Sequence, residues 1–263
     1  MARKKNPDAK MSLSGHLKEL RNRLFWSALF IIGGSVAGWF MFDFVFNELQ
    51  RPIVELASQP GSNATINFPT VVSAFDVRLQ VSIFLGILMS APVWLYNLWA
   101  FVTPGLKKRE RRYTIGFVFA SVPLFLGGTA LAWSSLPTFV VVLVGFTPDG
   151  AANVINASEY ILFTIRILLV FGLAFVLPVA LVMLNFAGVI TAENIIKSWR
   201  MAVFVSAVIG AIATPVAEPM AMFLLMVPLL ILYFLAAGIA YLHDKRVAKK
   251  LAALELTEPQ DAN

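Results

Sequence analysis

An all-α, polytopic integral membrane protein with six transmembrane helices and both termini in the cytoplasm is the architecture this sequence predicts, on three observations. Of its 263 residues 59% are hydrophobic and only 14% charged, against roughly 25% charged in soluble domains. The apolar residues fall into runs long enough to cross a hydrocarbon core of about 30 Å. The cations gather in the tails and in the short loops between those runs, which the positive-inside rule places in the cytoplasm. That placement accounts for the net charge of +6, so no nucleic-acid partner is implied.

The stretch from Pro92 to Arg112 sets the orientation. It passes from apolar residues through Tyr96, Trp99 and Phe101, breaks at Pro104-Gly105, and ends in Lys107, Lys108, Arg109, Arg111 and Arg112 around a single carboxylate, Glu110. Hydrocarbon, aromatic belt, turn and basic loop is the order of a helix leaving a bilayer on its cytoplasmic side. Positive charge alone would serve topology, so Glu110 is the odd member.

Taken in order, residues 1–10 form a polar, basic tail with no apolar period and are expected to be disordered. Leu13, Leu17, Leu20 and Leu24 then recur at helical spacing opposite His16, Lys18, Glu19, Arg21 and Arg23, as in a helix lying along the membrane surface. Span one follows over about 25–46; it is longer than a signal-peptide core and lacks a small-residue cleavage site after it, so it is expected to be retained. Residues 47–74, punctuated by Pro52, Pro60-Gly61 and Pro69 and poor in cations, read as an outer loop. Span two, 77–101, carries Pro92, which should kink it.

The run from Ile115 to Phe146 would be about 48 Å long as one helix, too long for a simple span. Ser134-Ser135-Leu136-Pro137 is its expected break, leaving span three at 115–136 and a short helix at the outer surface. Span four covers 160–186 with Arg166 and Pro178, and a cytoplasmic loop at 188–200 follows. The last apolar stretch is interrupted at Thr214-Pro215 through Glu218, giving short spans at 201–214 and 220–242, the first below the usual minimum of about 17 residues. Local thinning of the bilayer is expected there. Residues 11–242 thus form one six-helix domain, whose prolines kink the helices into a concave body, and 243–263 form a cytoplasmic tail.

Catalytic patterns are missing. There is no phosphate-binding glycine loop with lysine, no His-Glu-x-x-His and no nucleophile elbow. The chain has no cysteine, and its two histidines, His16 and His243, stand near opposite ends, so neither a metal site nor a cofactor is expected. What remains is a set of polar residues at informative depths. Glu110 pairs with neighbouring arginines in water, or it faces a pocket. Glu19 pairs with Arg23 at i,i+4, or it shares that pocket with Glu110 and the two carboxylates accept a pair of guanidiniums by charge-assisted bonds. Arg166, about 10 Å inward from Glu159 along a helix, either snorkels outward or needs an acid, from Glu218 or from a partner helix.

The residues His16-Leu17-Lys18-Glu19-Leu20-Arg21-Asn22-Arg23-Leu24, Ala91-Pro92 with Tyr96, Trp99, Phe101 and Pro104-Gly105-Leu106, Glu110-Arg111-Arg112, Phe171-Gly172 with Phe175 and Pro178, and Thr214-Pro215 make this sequence resemble the TatC family over about Leu13 to His243. That family is the signal-recognising subunit of the twin-arginine translocase. The resemblance implies a non-enzymatic receptor for folded precursors whose signal peptides carry two adjacent arginines. Glu19 and Glu110 would accept those arginines, while Arg21, Arg23, Arg111 and Arg112 shape the site or contact the rest of the signal peptide. Pro52 matches a family proline in the first outer loop. Single-span TatA-like and TatB-like partners, a homo-oligomer within a larger complex, the bacterial cytoplasmic membrane and use of the protonmotive force are implied in the same way.

Two departures stand out. Val176 occupies the place of a glutamate common in span four of the family, and the acid before span six is Glu218, one residue displaced, with Met222 where a glutamine is frequent. Arg166 is therefore expected to replace part of that polar network by pairing with an acid near the outer end of a partner's helix, because an unpaired arginine there is costly. A six-span small-solute transporter is the alternative, but it calls for a polar site near mid-membrane and clear internal repeats, and the repeats here are faint.

Overall fold

The computed structural model describes residues 13–58, 64–102, 111–148, 151–213 and 219–255. Helix α1 (Leu13–Ala57) is followed by strand β1 (Ala64–Asn67), α2 (Ser73–Met89), α3 (Ala91–Val102) and α4 (Arg111–Val144). Strand β2 (Asn153–Asn156), α5 (Ala157–Phe186), α6 (Ala192–Lys197), α7 (Trp199–Ala213) and α8 (Pro219–Glu255) complete the chain. Among the described residues four helices, α1, α4, α5 and α8, are each long and apolar enough to cross a membrane, and the α2–α3 pair, bent by 60°, makes a fifth when counted as one broken span. Helix α7 has 15 residues, about 22 Å, as short as its apolar run suggests.

Helix α5 is the central element and packs against α2, α4, α7 and α8. One core cluster joins Leu49 and Ile53 of α1, Val81 and Phe84 of α2, Leu136 and Phe139 of α4, and Ile161 and Leu168 of α5. A second joins Leu95 and Trp99 of α3, Phe117 and Phe125 of α4, and Val176 and Val179 of α5. Helices in lipid gain little from hydrophobicity alone and associate through close packing of small residues. Such packing is seen on α2 and on α4. A Cβ on Gly86 of α2 would lie 2.5 Å from the Ile31 carbonyl oxygen of α1, and one on Gly128 of α4 would lie 2.7 Å from the Phe171 carbonyl oxygen of α5.

Several expectations are corrected. The amphipathic segment and span one are a single helix, and that helix runs through Pro52 to Ala57 where a loop was expected, because Leu49, Ile53 and Leu56 are buried along one side and their burial offsets the bond that Pro52 cannot donate. Helix α4 does not break at Ser134–Pro137. Leu136, Phe139 and Val140 bury themselves in the core, and the hydroxyls of Ser134 and Ser135 both donate to the Leu131 carbonyl at 2.8 Å, so the helix continues past Pro137. The loop expected at 188–200 contains α6, and α8 continues 13 residues beyond Leu242.

The strands are new. Residues Ala64–Asn67 and Asn153–Asn156 pair in parallel, with Thr65 opposite Val154 and Ile66 opposite Ile155, inside segments that read as loops. They tie the two connections on the same side of the molecule, and Asn156 then caps α5 by accepting from the Ser158 backbone N–H at 3.0 Å. Nearby the Tyr160 hydroxyl donates to the Leu49 carbonyl at 2.7 Å, fixing the far end of α1 to α5. The kink at Pro92 is present as the bend between α2 and α3, across which Trp94 Nε1 donates to the Ile87 carbonyl at 3.0 Å. Helix α5 ends at Phe186, and Gly188, two residues on, has a φ of 70° that suits a residue without Cβ.

Gly86→Val is expected to cost about 1–3 kcal/mol through overpacking against the α1 backbone and to lower the thermal unfolding midpoint in detergent. Gly33→Ala, at an exposed helical position where a Cβ meets nothing within 4 Å, is expected to be neutral or stabilising by up to about 1 kcal/mol. Equal losses in the two variants would show that the α1–α2 approach is not what limits stability.

Candidate functional site

The predicted carboxylate site begins where α1 starts and α3 ends. In the first turns of α1, His16, Glu19, Arg23 and Ser27 are half-buried, while Leu17, Lys18, Leu20, Arg21, Asn22 and Leu24 are exposed. Positions three and four apart on a helix share a face, so these four residues form one stripe, and that stripe meets α3. The His16 ring stacks on Phe101 with centroids 4.4 Å apart and planes 17° from parallel. About three turns further along, Asn97 Nδ2 donates to Ser27 Oγ at 3.0 Å.

Glu19 lies between these two contacts. Its Oε1 accepts from Arg23 Nε at 2.9 Å and from Arg23 Nη2 at 2.5 Å, with both side chains 22% exposed. The i,i+4 pairing read from the sequence is therefore present. Both bonds end on one oxygen, and Oε2 accepts none among the described residues. Glu19 also borders a shallow depression, together with Gly15, Lys18, Arg21 and Asn22. Arg23 holds the carboxylate in place and Arg21, exposed, stands on its rim.

The segment carrying Glu110 leaves from the end of α3 on which His16 stacks. Glu110 and Pro104 lie outside the described residues, as do Thr214, Pro215, Glu218 and the tail at 1–10. Arg111 and Arg112 open α4. That helix is held against α3 by a bond from Trp99 Nε1 to Ser121 Oγ at 2.7 Å and by the edge-on contact of Trp94 with Phe125 at 5.2 Å. Both ends of the Glu110 segment are therefore anchored on elements that pack together, and one of them touches the turn preceding Glu19.

The other predicted positions are scattered. Pro52 is buried in α1 and Pro92 is exposed in the first turn of α3. Val176, where an acid was noted as absent, is buried at 5% exposure in the second core cluster. Arg166 is exposed on α5 and forms no ion pair among the described residues.

Two polar groups escaped the sequence reading. Asp244 in α8 accepts from Asn185 Nδ2 at 3.0 Å and from the Ala192 backbone N–H at 2.7 Å, clamping the ends of α5 and α6 together, and His243 beside it stacks on Phe186 at 4.0 Å. Arg78 in α2 sits over the rings of Trp39 and Phe42. Neither carries a local sequence signal, since each depends on partners tens of residues away.

Comparisons agree on one family. The model of the family described as Sec-independent protein translocase protein (TatC) matches residues 15–228. The chain is 42% identical to the Sec-independent protein translocase protein TatC of Xylanimonas cellulosilytica over 92% of its own length and 88% of that protein's. It is 34% identical to the protein TatCy of Bacillus subtilis, over 92% and 94%. A crystal structure of a twin-arginine translocase receptor, TatC, in the detergent DDM superposes with a TM-score of 0.73 at 32% identity, covering 86% of this chain and 99% of that one.

Phe101→Ala is expected to release the start of α1. An aromatic stack contributes about 1 kcal/mol, so amide exchange at residues 14–20 should quicken roughly fivefold, since 1.4 kcal/mol is a factor of ten, while exchange in β1 stays unchanged. Unaltered protection at residues 14–20 would remove the stack from any part in positioning Glu19.

Proposed function

This chain belongs to the TatC family of Sec-independent protein translocase proteins, and on that footing we propose that Glu19 and Glu110 together receive the paired arginines of an incoming signal peptide. The observation that carries the reading is the half-buried Glu19 carboxylate, with both Arg23 bonds on one of its oxygens, next to the helix end from which the Glu110 segment departs. A guanidinium presents a planar fork of donors matched to a carboxylate, whereas an ammonium is a point charge. A site of this kind favours two arginines over two lysines by geometry and not by charge alone.

The surrounding cations have a definite task. Arg23 occupies Oε1, so an incoming guanidinium meets a carboxylate already oriented. Exposed Lys18 and Arg21, with Arg111 and Arg112 at the start of α4, oppose casual occupation by unrelated cations and contact the remainder of the signal peptide. The protein works in the bacterial cytoplasmic membrane with both termini cytoplasmic, and α7 crosses a thinned bilayer to complete six spans. TatA-like and TatB-like single-span proteins assemble with it in an oligomeric complex that draws on the protonmotive force to export folded precursors. Arg166, exposed on α5, pairs with an acid of such a partner helix, since a lone cation at that depth is costly.

Binding of a fluorescent twin-arginine peptide to the purified protein tests the site. Hydrogen bonds to charged groups contribute about 1.5–3 kcal/mol each, so Glu19→Gln and Glu110→Gln are each expected to weaken binding tenfold or more, and the double variant to lose the preference over a twin-lysine peptide. Undiminished binding by a correctly inserted double variant would overturn the proposal. Separately, Arg166→Gln should reduce recovery of the TatB-like partner without changing peptide affinity; full recovery would exclude the pairing.

A further inference from the structure

The seam between α1 and α2 opens outward into an apolar groove of about 380 Å³. Ser35 and Ser82 form its floor, and Val36, Trp39, Leu79 and Ile83 its walls. Both floor hydroxyls turn back on their own helices, Ser35 to the Ile31 carbonyl at 2.8 Å and Ser82 to the Arg78 carbonyl at 2.7 Å. The groove therefore presents hydrocarbon and no free donor to whatever fills it.

One end of the groove is charged. The Arg78 guanidinium lies 4.9 Å from the centroid of the Trp39 ring and 5.0 Å from that of Phe42. Its Nη2 donates to the Trp39 carbonyl at 3.4 Å and stands 3.9 Å from Asp43 Oδ2, both long beside the 2.7–2.9 Å usual for a charge-assisted bond. Its Nε is buried with no partner among the described residues. Arg78 is thus held in place by rings while its anion-binding capacity is largely unused. Asp43 is 79% exposed against 34% for Arg78, so the cation is set inward and the anion outward.

The depth of this pair is fixed by α1. Ser27, which meets Asn97 toward the other end of the seam, precedes Asp43 by 16 residues, about 24 Å of helix. With a hydrocarbon core of about 30 Å, Arg78 and Asp43 stand close to the boundary on the side away from the start of α1. That is the level of lipid head groups.

We propose that this groove holds one zwitterionic phospholipid of the phosphatidylethanolamine type from that leaflet. An acyl chain lies between the walls over Ser35 and Ser82, the phosphodiester accepts from the guanidinium of Arg78, and the ammonium donates to Asp43. The order of charges selects this occupant. An anionic lipid would satisfy Arg78 but leave Asp43 unpaired, with Asp76, which accepts from Gln80 Nε2 at 2.7 Å, as a second carboxylate on the adjoining helix. A partner helix offering an acid at this level meets the same repulsion.

The test uses the full chain, reconstituted in bilayers of phosphatidylethanolamine and phosphatidylglycerol in equal parts, transferred to mild detergent and weighed by native mass spectrometry for retained lipid. Wild type should retain phosphatidylethanolamine in preference. Arg78→Gln removes a charge-assisted bond and should lower that retention about tenfold, whereas Asp43→Asn should keep total phospholipid but lose the preference. Ile83→Trp fills the groove from a half-exposed wall without touching either charge and should exclude the lipid while the unfolding midpoint stays constant. Equal retention of both lipids by wild type, or undiminished phosphatidylethanolamine on the Ile83→Trp variant, would overturn the proposal.

Discussion

The close contact of α1 with α2 and α3 is the constraint on which the rest of the molecule depends. In lipid no hydrophobic force drives one helix onto another, so backbones must approach near enough for dispersion and polar contacts to act. The glycine pair Gly34 and Gly86 allows that approach at the middle of the seam; a Cβ on Gly34 would lie 3.0 Å from the Gly86 carbonyl oxygen. Every other contact on the seam follows from it. Arg78 reaches Trp39 at one end, Asn97 reaches Ser27 beyond the middle, and Phe101 reaches His16 at the other end.

This geometry gives the carboxylate of Glu19 its chemical character. On an isolated helix, an i,i+4 pair between Glu19 and Arg23 would be solvated, mobile and worth little. Against α3 the same pair is mostly covered, and one turn before Glu19 the His16 ring stacks on Phe101. Both bonds from Arg23 fall on one oxygen of that carboxylate, which fixes its orientation on the face turned to α3. The bend at Pro92 contributes to the same end. It turns α3 so that Leu95 and Trp99 are buried against α4 while Phe101 still meets α1, bringing the α3 flank of the Glu110 segment to the start of α1.

At the opposite end of the molecule a different device does the positioning. The two short strands, with the Tyr160 hydroxyl on the Leu49 carbonyl, join connections that are far apart in sequence and hold α1 and α4 upright beyond the length a bilayer requires. Pro52 and Pro137 lie within helices there, not at their ends. Burial of Ile53 and Leu136 beside them outweighs the hydrogen bond each proline forfeits.

Composition and periodicity alone determined the class of the protein, the apolar runs that became α2 to α5 and α8, the shortness of α7, the bend at Pro92 and the choice of Glu19 with Arg23 as a pair, because each rests on residues within a few helical turns of one another. Pairings across the chain were decided only by the tertiary structure: β1 with β2, Asp244 with the start of α6, Arg78 with Trp39, and the face of Glu19 that is covered. A proline in an apolar run carries the same local cost whether the helix ends or continues. What settles the matter is the burial available to the residues after it, and that burial is supplied by helices the local sequence does not specify.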